Sequence, residues 1–145
     1  MDVKVCLDTN IFIAVKNKEP EFENCKQILD SVENKQIEGV MPTIVIAEVL
    51  VGFYQNDEVE EANRFLSNAI LNFIIIPLNA EISKESAYLR AQNNLKLPDA
   101  IVLASAIFSR SDFLITQDKI ILKKLLIQKI APKEFVKNHL EGKNP

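Results

Sequence analysis

The chain reads as an α/β protein: a mainly parallel sheet with helices on both faces. Three observations predict this. Short β-branched or aromatic runs stand at residues 3–8, 73–76 and 113–116, stretches of 3.6-residue apolar periodicity lie between them, and no internal repeat or linker breaks the 145 residues. Strands alternating with helices form βαβ units, whose crossovers lay helices over a parallel sheet. One domain spanning 1–145 suffices, and at this length the chain can bury a sizeable core.

The elements follow in order. Val3, Val5 and Leu7 alternate with polar residues and lead into Asp8, giving a strand that ends on an acid. Phe22, Cys25, Ile28, Leu29 and Val32 fall on one face of a helix. A fainter strand lies at Gly39–Met41, followed by a helix over Thr43–Tyr54 that is apolar nearly all round and therefore expected to be buried. Ala62, Phe65, Leu66 and Ala69 share another helical face, and Phe73–Ile76 forms the next strand. Helices are predicted over Ile82–Asn93 and Pro98–Phe108, then a strand over Phe113–Thr116 and a helix over Lys119–Leu126.

Composition narrows the function. With 48% hydrophobic and 26% charged residues, three Gly and six Pro, the chain has an ordinary globular make-up. No apolar stretch approaches the ~18 residues of a bilayer span. The N-terminus shows no basic region followed by an apolar block, so a cytoplasmic address and no membrane contact are expected. Cys6 and Cys25 are too few for a disulfide framework or a thiolate metal site and are expected to be buried, reduced thiols. His139 is the sole histidine, which argues against histidine-bound zinc and against Ser-His or Cys-His catalysis. Any chemistry must rest on carboxylates.

Four acids stand out. Glu48 interrupts Ile44-Val45-Ile46-Ala47-Glu48-Val49-Leu50-Val51, where a buried lone carboxylate would need a partner, a proton or a metal. Asp99 precedes the apolar run Ala100–Ala104, Asp8 closes the first strand, and Asp118 follows Leu114-Ile115-Thr116-Gln117. Each aspartate taken alone is also a good helix N-cap. Together they are more. In a parallel α/β sheet, residues just past strand carboxyl ends and in the first turns of buried helices converge on the ligand-binding crevice. Two carboxylates about 5 Å apart repel by roughly 3 kcal/mol at an effective dielectric of about 20. A hard divalent cation resolves that repulsion, and oxygen ligands select Mg²⁺ or Mn²⁺.

In their order along the chain these motifs resemble the PIN-domain ribonucleases, and within them the VapC-type toxins of toxin–antitoxin pairs. Val5-Cys6-Leu7-Asp8-Thr9-Asn10 is similar to the family's first acidic motif, Ala47-Glu48-Val49 in its helix to the second, Leu97-Pro98-Asp99-Ala100 to the third, and Ile115-Thr116-Gln117-Asp118 to the fourth. The resemblance implies that Asp8, Glu48, Asp99 and Asp118 form the catalytic site and hold one or two Mg²⁺ or Mn²⁺ ions, with Asn10 and Thr116 orienting the carboxylates. It implies hydrolysis of RNA to 5′-phosphate and 3′-hydroxyl ends, a five-stranded parallel sheet ordered 3-2-1-4-5, and a homodimer. A fifth strand is then expected near Ile127–Ala131, and it must be short. Gln117 stands where the family more often has Asn or Arg, a change that would bear on substrate contacts.

Charge is uneven. Residues 119–145 hold seven lysines against two acids, and residues 1–118 hold ten bases against eighteen acids. A basic segment suits a polyanion, and Arg90, Lys96, Lys119 and Lys123 are the candidate phosphate contacts. A cognate antitoxin would cover the acidic crevice, inserting a basic side chain. Two rivals remain: another Mg²⁺-dependent phosphoryl-transfer domain, or a PIN-like module that binds without catalysis. Against the first, a haloacid-dehalogenase-like phosphatase would have Asp where Asn10 stands, and a receiver domain Lys where Thr116 stands. Against the second, all four acids are kept.

Overall fold

The structure, a computed structural model, describes residues 2–123 and 129–141. Its elements run β1 (Lys4–Leu7), α1 (Thr9–Lys16), α2 (Phe22–Glu33), β2 (Glu38–Pro42), α3 (Thr43–Gln55), α4 (Val59–Asn72), β3 (Ile74–Ile76), α5 (Ala80–Asn93), α6 (Leu97–Phe108), β4 (Phe113–Ile115), α7 (Lys119–Leu122), β5 (Lys129–Ile130) and α8 (Pro132–Phe135), which continues as a π-helical turn over Val136–Leu140. All five strands are parallel, in the order β3-β2-β1-β4-β5. The α/β class and the 3-2-1-4-5 order are those expected.

β1 is the hinge of this topology. From it the chain steps outward to β2 and β3, then crosses back to pair β4 on its other side, so the strand order reverses between β1 and β4. Such a reversal leaves a crevice above the strand carboxyl ends, because the two flanking connections diverge there. Val5, Cys6 and Leu7 are wholly buried, as strand residues sandwiched between helical layers must be. The layers differ in character. α6 buries every residue from Ala100 to Ala106, whereas α3 buries only Val45 and Val49 completely and exposes Val51 and Tyr54 by half. The nearly uniform apolarity of α3 thus overstated its burial.

Several boundaries moved. The faint strand at Gly39–Met41 is a full five-residue strand between β1 and β3. Gly39 is required there: a Cβ would stand 2.7 Å from the Phe73 ring and 2.9 Å from a Val32 methyl. That need for space hid β2 behind a poor strand former. α7 ends at Leu122, and residues 124–126 of the helix expected there lie outside the described residues. β5 occupies two residues within the expected 127–131, of which 127 and 128 also lie outside them. α1 and the C-terminal α8 had no counterpart among the helices predicted from periodicity.

The C-terminal segment is anchored by aromatic packing. Phe135 is wholly buried, its ring 5.9 Å from Phe113 and stacked at 4.9 Å on His139, which itself lies 4.7 Å from Phe113. The one histidine is therefore a packing residue. Cys6 and Cys25 are buried free thiols, as expected; burial pushes the Cys25 thiol up to about 12, so it stays protonated. A groove of about 380 Å³ opens among Phe12, Leu29, Phe53, Phe65 and Phe73. Among the described residues no helix is long and apolar enough to cross a membrane.

Candidate active site

Asp8 sits at the reversal point because β1 ends there. Its backbone N–H donates to Ile115 O of β4 at 3.1 Å, the last rung of the β1–β4 ladder, and the next residue begins α1. The carboxylate is nearly buried and is held by three donors. Thr9 N–H reaches Oδ1 at 2.8 Å, and the Thr116 hydroxyl and Asn10 Nδ2 reach Oδ2 at 2.7 and 3.2 Å. Asp8 thus caps α1 and belongs to the crevice at once. Burial raises its pKa, with Glu48 and Asp118 adding to the rise, while the bonds from Thr116 and Thr9 oppose it.

Thr116 is wholly buried just past β4 and joins both acids of the crevice floor. Its hydroxyl donates to Asp8 and accepts from Asp118 N–H at 3.0 Å. Asp118 in turn caps α7: Oδ1 accepts from Ile120 N–H at 2.8 Å and Ile121 N–H at 3.2 Å. Asn10 is placed by the first turn of α1, with Nδ2 also 3.3 Å from Thr116 Oγ1. Asn10 and Thr116 both donate to Asp8 Oδ2, and among the described residues neither donates to the carboxylate of Glu48, Asp99 or Asp118.

Glu48 comes from α3 and Asp99 from α6, and both differ from expectation. Glu48 is exposed, not buried, so the desolvation that first singled it out does not act on it. It is fixed instead by the Thr9 hydroxyl, which donates to Oε1 at 2.7 Å. Thr9 had no role assigned from sequence; its place in the Asp8-Thr9-Asn10 motif was the signal. Asp99 is not the cap of α6, which begins two residues earlier at Leu97 and has no side-chain cap. Among the described residues nothing donates a hydrogen bond to its carboxylate. Its pKa is pushed up to about 6, first by burial, then by Asp8 and Asp118, opposed by Lys96, with Glu48 adding to the rise.

Asp8, Glu48, Asp99 and Asp118 come from four separate segments and stand near enough for Asp8, Glu48 and Asp118 each to act on the charge of Asp99. Among the described residues the ion pairs are Lys16–Glu58, Lys26–Asp30 and Arg64–Glu61, and none involves the four acids. Nor are any three Asp, Glu, His or Cys side chains among the described residues already arranged to hold a metal ion. The donor chemistry still fits a hard cation: oxygen atoms only, mutually repelling, without a salt-bridge partner among the described residues, and Mg²⁺ ordinarily accepts one or two carboxylates plus water. Of the candidate phosphate contacts, Lys96 caps α6 within the field of Asp99, and Lys119 and Lys123 are exposed at the two ends of α7. Arg90 donates through Nη1 to Leu95 O at 2.5 Å, bracing the turn between α5 and α6.

Curated proteins give no match. Among solved structures, a chain of a toxin–antitoxin complex from Klebsiella pneumoniae superposes with a TM-score of 0.70 at 30% identity, over 88% of this chain and 97% of that one. VapBC2 from Rickettsia felis, bound to a DNA fragment from its promoter, gives 0.70 at 20% identity over 89% and 98%. VapC20 of Mycobacterium tuberculosis, a Sarcin-Ricin loop cleaving toxin, gives 0.64 at 12% over 86% and 98%. The last two speak for the fold alone. The PIN domain family model matches residues 5–125, which run from within β1 to beyond Asp118; with the 30% relative it places this chain in the PIN domain family.

Proposed function

We propose that the chain is a metal-dependent endoribonuclease, the toxin of a toxin–antitoxin pair. The observation that carries this is the crevice itself: four carboxylates at the switch point of a parallel sheet, without a basic partner among the described residues, one of them locked in place by three donors. A purely structural cluster would have paired these charges, because leaving them repelling one another opposes folding.

Asp8 and Asp99 would hold Mg²⁺, or Mn²⁺, with Glu48 and Asp118 completing the site directly or through water. When bound, such an ion lowers the pKa of water and stabilises charge on a phosphoryl oxygen. The chain's own residues do the rest. Thr116, Asn10 and the Thr9 amide keep Asp8 in one orientation, so it meets a ligand without reorganising. Thr9 ties Glu48 of α3 to the first turn of α1 and so sets the distance across the crevice. Lys96, Lys119, Lys123 and the remaining amino groups of Arg90 would receive the phosphates on either side of the scissile bond.

An antitoxin is the expected protein partner, since the Klebsiella relative is a chain of a toxin–antitoxin complex. A homodimer in the cytoplasm is the expected working form. The test is cleavage of a panel including tRNA and rRNA with Mg²⁺ or Mn²⁺, using EDTA and Asp8→Asn as controls. Cleavage is expected to need the ion and to vanish in the variant. Binding of RNA without cleavage under either metal would favour a non-catalytic PIN module, and metal-independent cleavage surviving in Asp8→Asn would refute the site.

A further inference from the structure

Gln117 lies between Thr116 and Asp118, and the proposed function gives it no task. Its main chain and its side chain both reach Asn10. Its backbone N–H donates to Asn10 Oδ1 at 3.2 Å, and its side-chain Nε2 donates to the Asn10 backbone carbonyl at 3.2 Å. The same Nε2 lies 3.9 Å from Cys25 Sγ of α2. One residue of the β4–α7 connection therefore grips Asn10 at side chain and main chain, while its neighbour Thr116 grips Asp8.

The chemistry of a primary amide gives the first contact its meaning. Asn10 has one acceptor end and one donor end. With Oδ1 occupied by the Gln117 N–H, Nδ2 must face the other way, and there it donates to Asp8 Oδ2. A flipped amide would set its oxygen against the carboxylate and its amino group against an N–H, two repulsive contacts in a half-buried site. Any residue but Pro at 117 supplies the backbone N–H. Only a side chain with a donor at the right reach can also bind the Asn10 carbonyl, and so stop the first turn of α1 from drifting away from the connection that carries that N–H. Asn is one methylene shorter and cannot span the same gap on a fixed backbone, Leu has the size without the donor, and Glu would turn an acceptor toward a carbonyl.

We propose that Gln117 is a positioning residue: its side-chain amide pins the first turn of α1 to the β4–α7 connection and thereby holds Asn10 on the Asp8 carboxylate. This rests on the reading of Asp8 as a site carboxylate. It differs from the role that family resemblance suggested for position 117, which was contact with substrate. A substrate contact acts on binding, whereas a positioning residue acts on the turnover of substrate already bound.

The test compares wild type, Gln117→Leu, Gln117→Ala and Gln117→Arg in two readouts. The first needs no activity: the side-chain amide protons of Asn10, followed by ¹⁵N-resolved NMR hydrogen exchange in the metal-free protein. They are expected to exchange slowly in wild type and Gln117→Arg, and at least several-fold faster in the Leu and Ala variants. The second is steady-state cleavage. Loss of one such bond should lower kcat about tenfold in Gln117→Leu with KM within about twofold, and Gln117→Arg, which keeps a donor, should recover most of it. If Leu fails to fold, Ala carries both readouts. Unchanged Asn10 exchange in the Leu and Ala variants overturns the proposal. So does a raised KM at constant kcat, or a lowered Tm with unaltered turnover per folded molecule. If wild type cleaves no RNA with either metal, or Asp8→Asn cleaves as well as wild type, the nuclease reading fails, and the Asn10 exchange still decides whether Gln117 positions it.

Discussion

The aspartates of the crevice show how one side chain meets a local and a distant demand. Asp8 and Asp118 are helix caps, as their positions at the starts of α1 and α7 suggested, and they face the crevice as well. An N-cap carboxylate keeps unused lone pairs after satisfying first-turn amides, so the two roles are compatible. Asp99 is the acid without a capping role, and burial among like charges raises its pKa from near 3.8 to about 6. The folded state then binds more protons than the unfolded chain between those values, so stability of the metal-free protein should fall as pH rises from about 4 to about 6. Thermal melts in EDTA across that window check this, and Asp99→Asn should flatten the slope. Asp8→Asn, whose amide would set its amino group against Asn10 Nδ2, should abolish cleavage in a metal-titrated assay. Thr116→Val is isosteric but strips the hydroxyl shared by Asp8 and Asp118 N–H; a drop in activity of about 10–100-fold is expected in metal-titrated cleavage assays. The identity of the acids was legible in the sequence. The reason given for Glu48 was not right: it is exposed, and a hydroxyl from 39 residues away holds it. No local pattern encodes a contact at that separation.

Among the elements, β2 and α3 misled in opposite directions. β2 looked weak because it begins with Glu38-Gly39, yet it is held on both sides, by β1 and β3. Its glycine answers to Phe73 and Val32, which pack where a side chain would go. Gly39→Ala should therefore overpack this corner and destabilise by about 1–3 kcal/mol, measured by urea unfolding, with no direct effect on the crevice. α3 looked buried because its sequence is apolar on all faces, but a helix at the rim of a fold with helices on both faces of its sheet meets the core along one stripe only. Periodicity cannot tell a central helix from a rim helix when both are uniformly apolar. α6, with the same kind of sequence, is the truly central one. Short elements escaped notice for a related reason: α1 and α8 span eight and four residues, too few for a 3.6-residue repeat to declare itself.

At the scale of the molecule, the sheet order decides where the acids meet, and the C-terminal segment closes the side of the sheet away from β3. Phe135 is the anchor of that closure, wholly buried against Phe113 and stacked on His139. Phe135→Ala should destabilise by about 3–5 kcal/mol, read as a lower urea midpoint, and should loosen β4, the strand that leads to Thr116 and Asp118. The sequence by itself determined the α/β class, the single histidine and two cysteines, and the four carboxylates with their order along the chain. These follow from residue types and short-range periodicity, which every segment carries within itself. Only the tertiary structure decided that Glu48 stands exposed under the hold of Thr9, that Asp99 is raised by burial and its neighbours, and that Gln117 turns toward Asn10. Those outcomes depend on which residues the reversal between β1 and β4 brings face to face, and such pairings across 39 to 107 positions are fixed by packing of the whole chain.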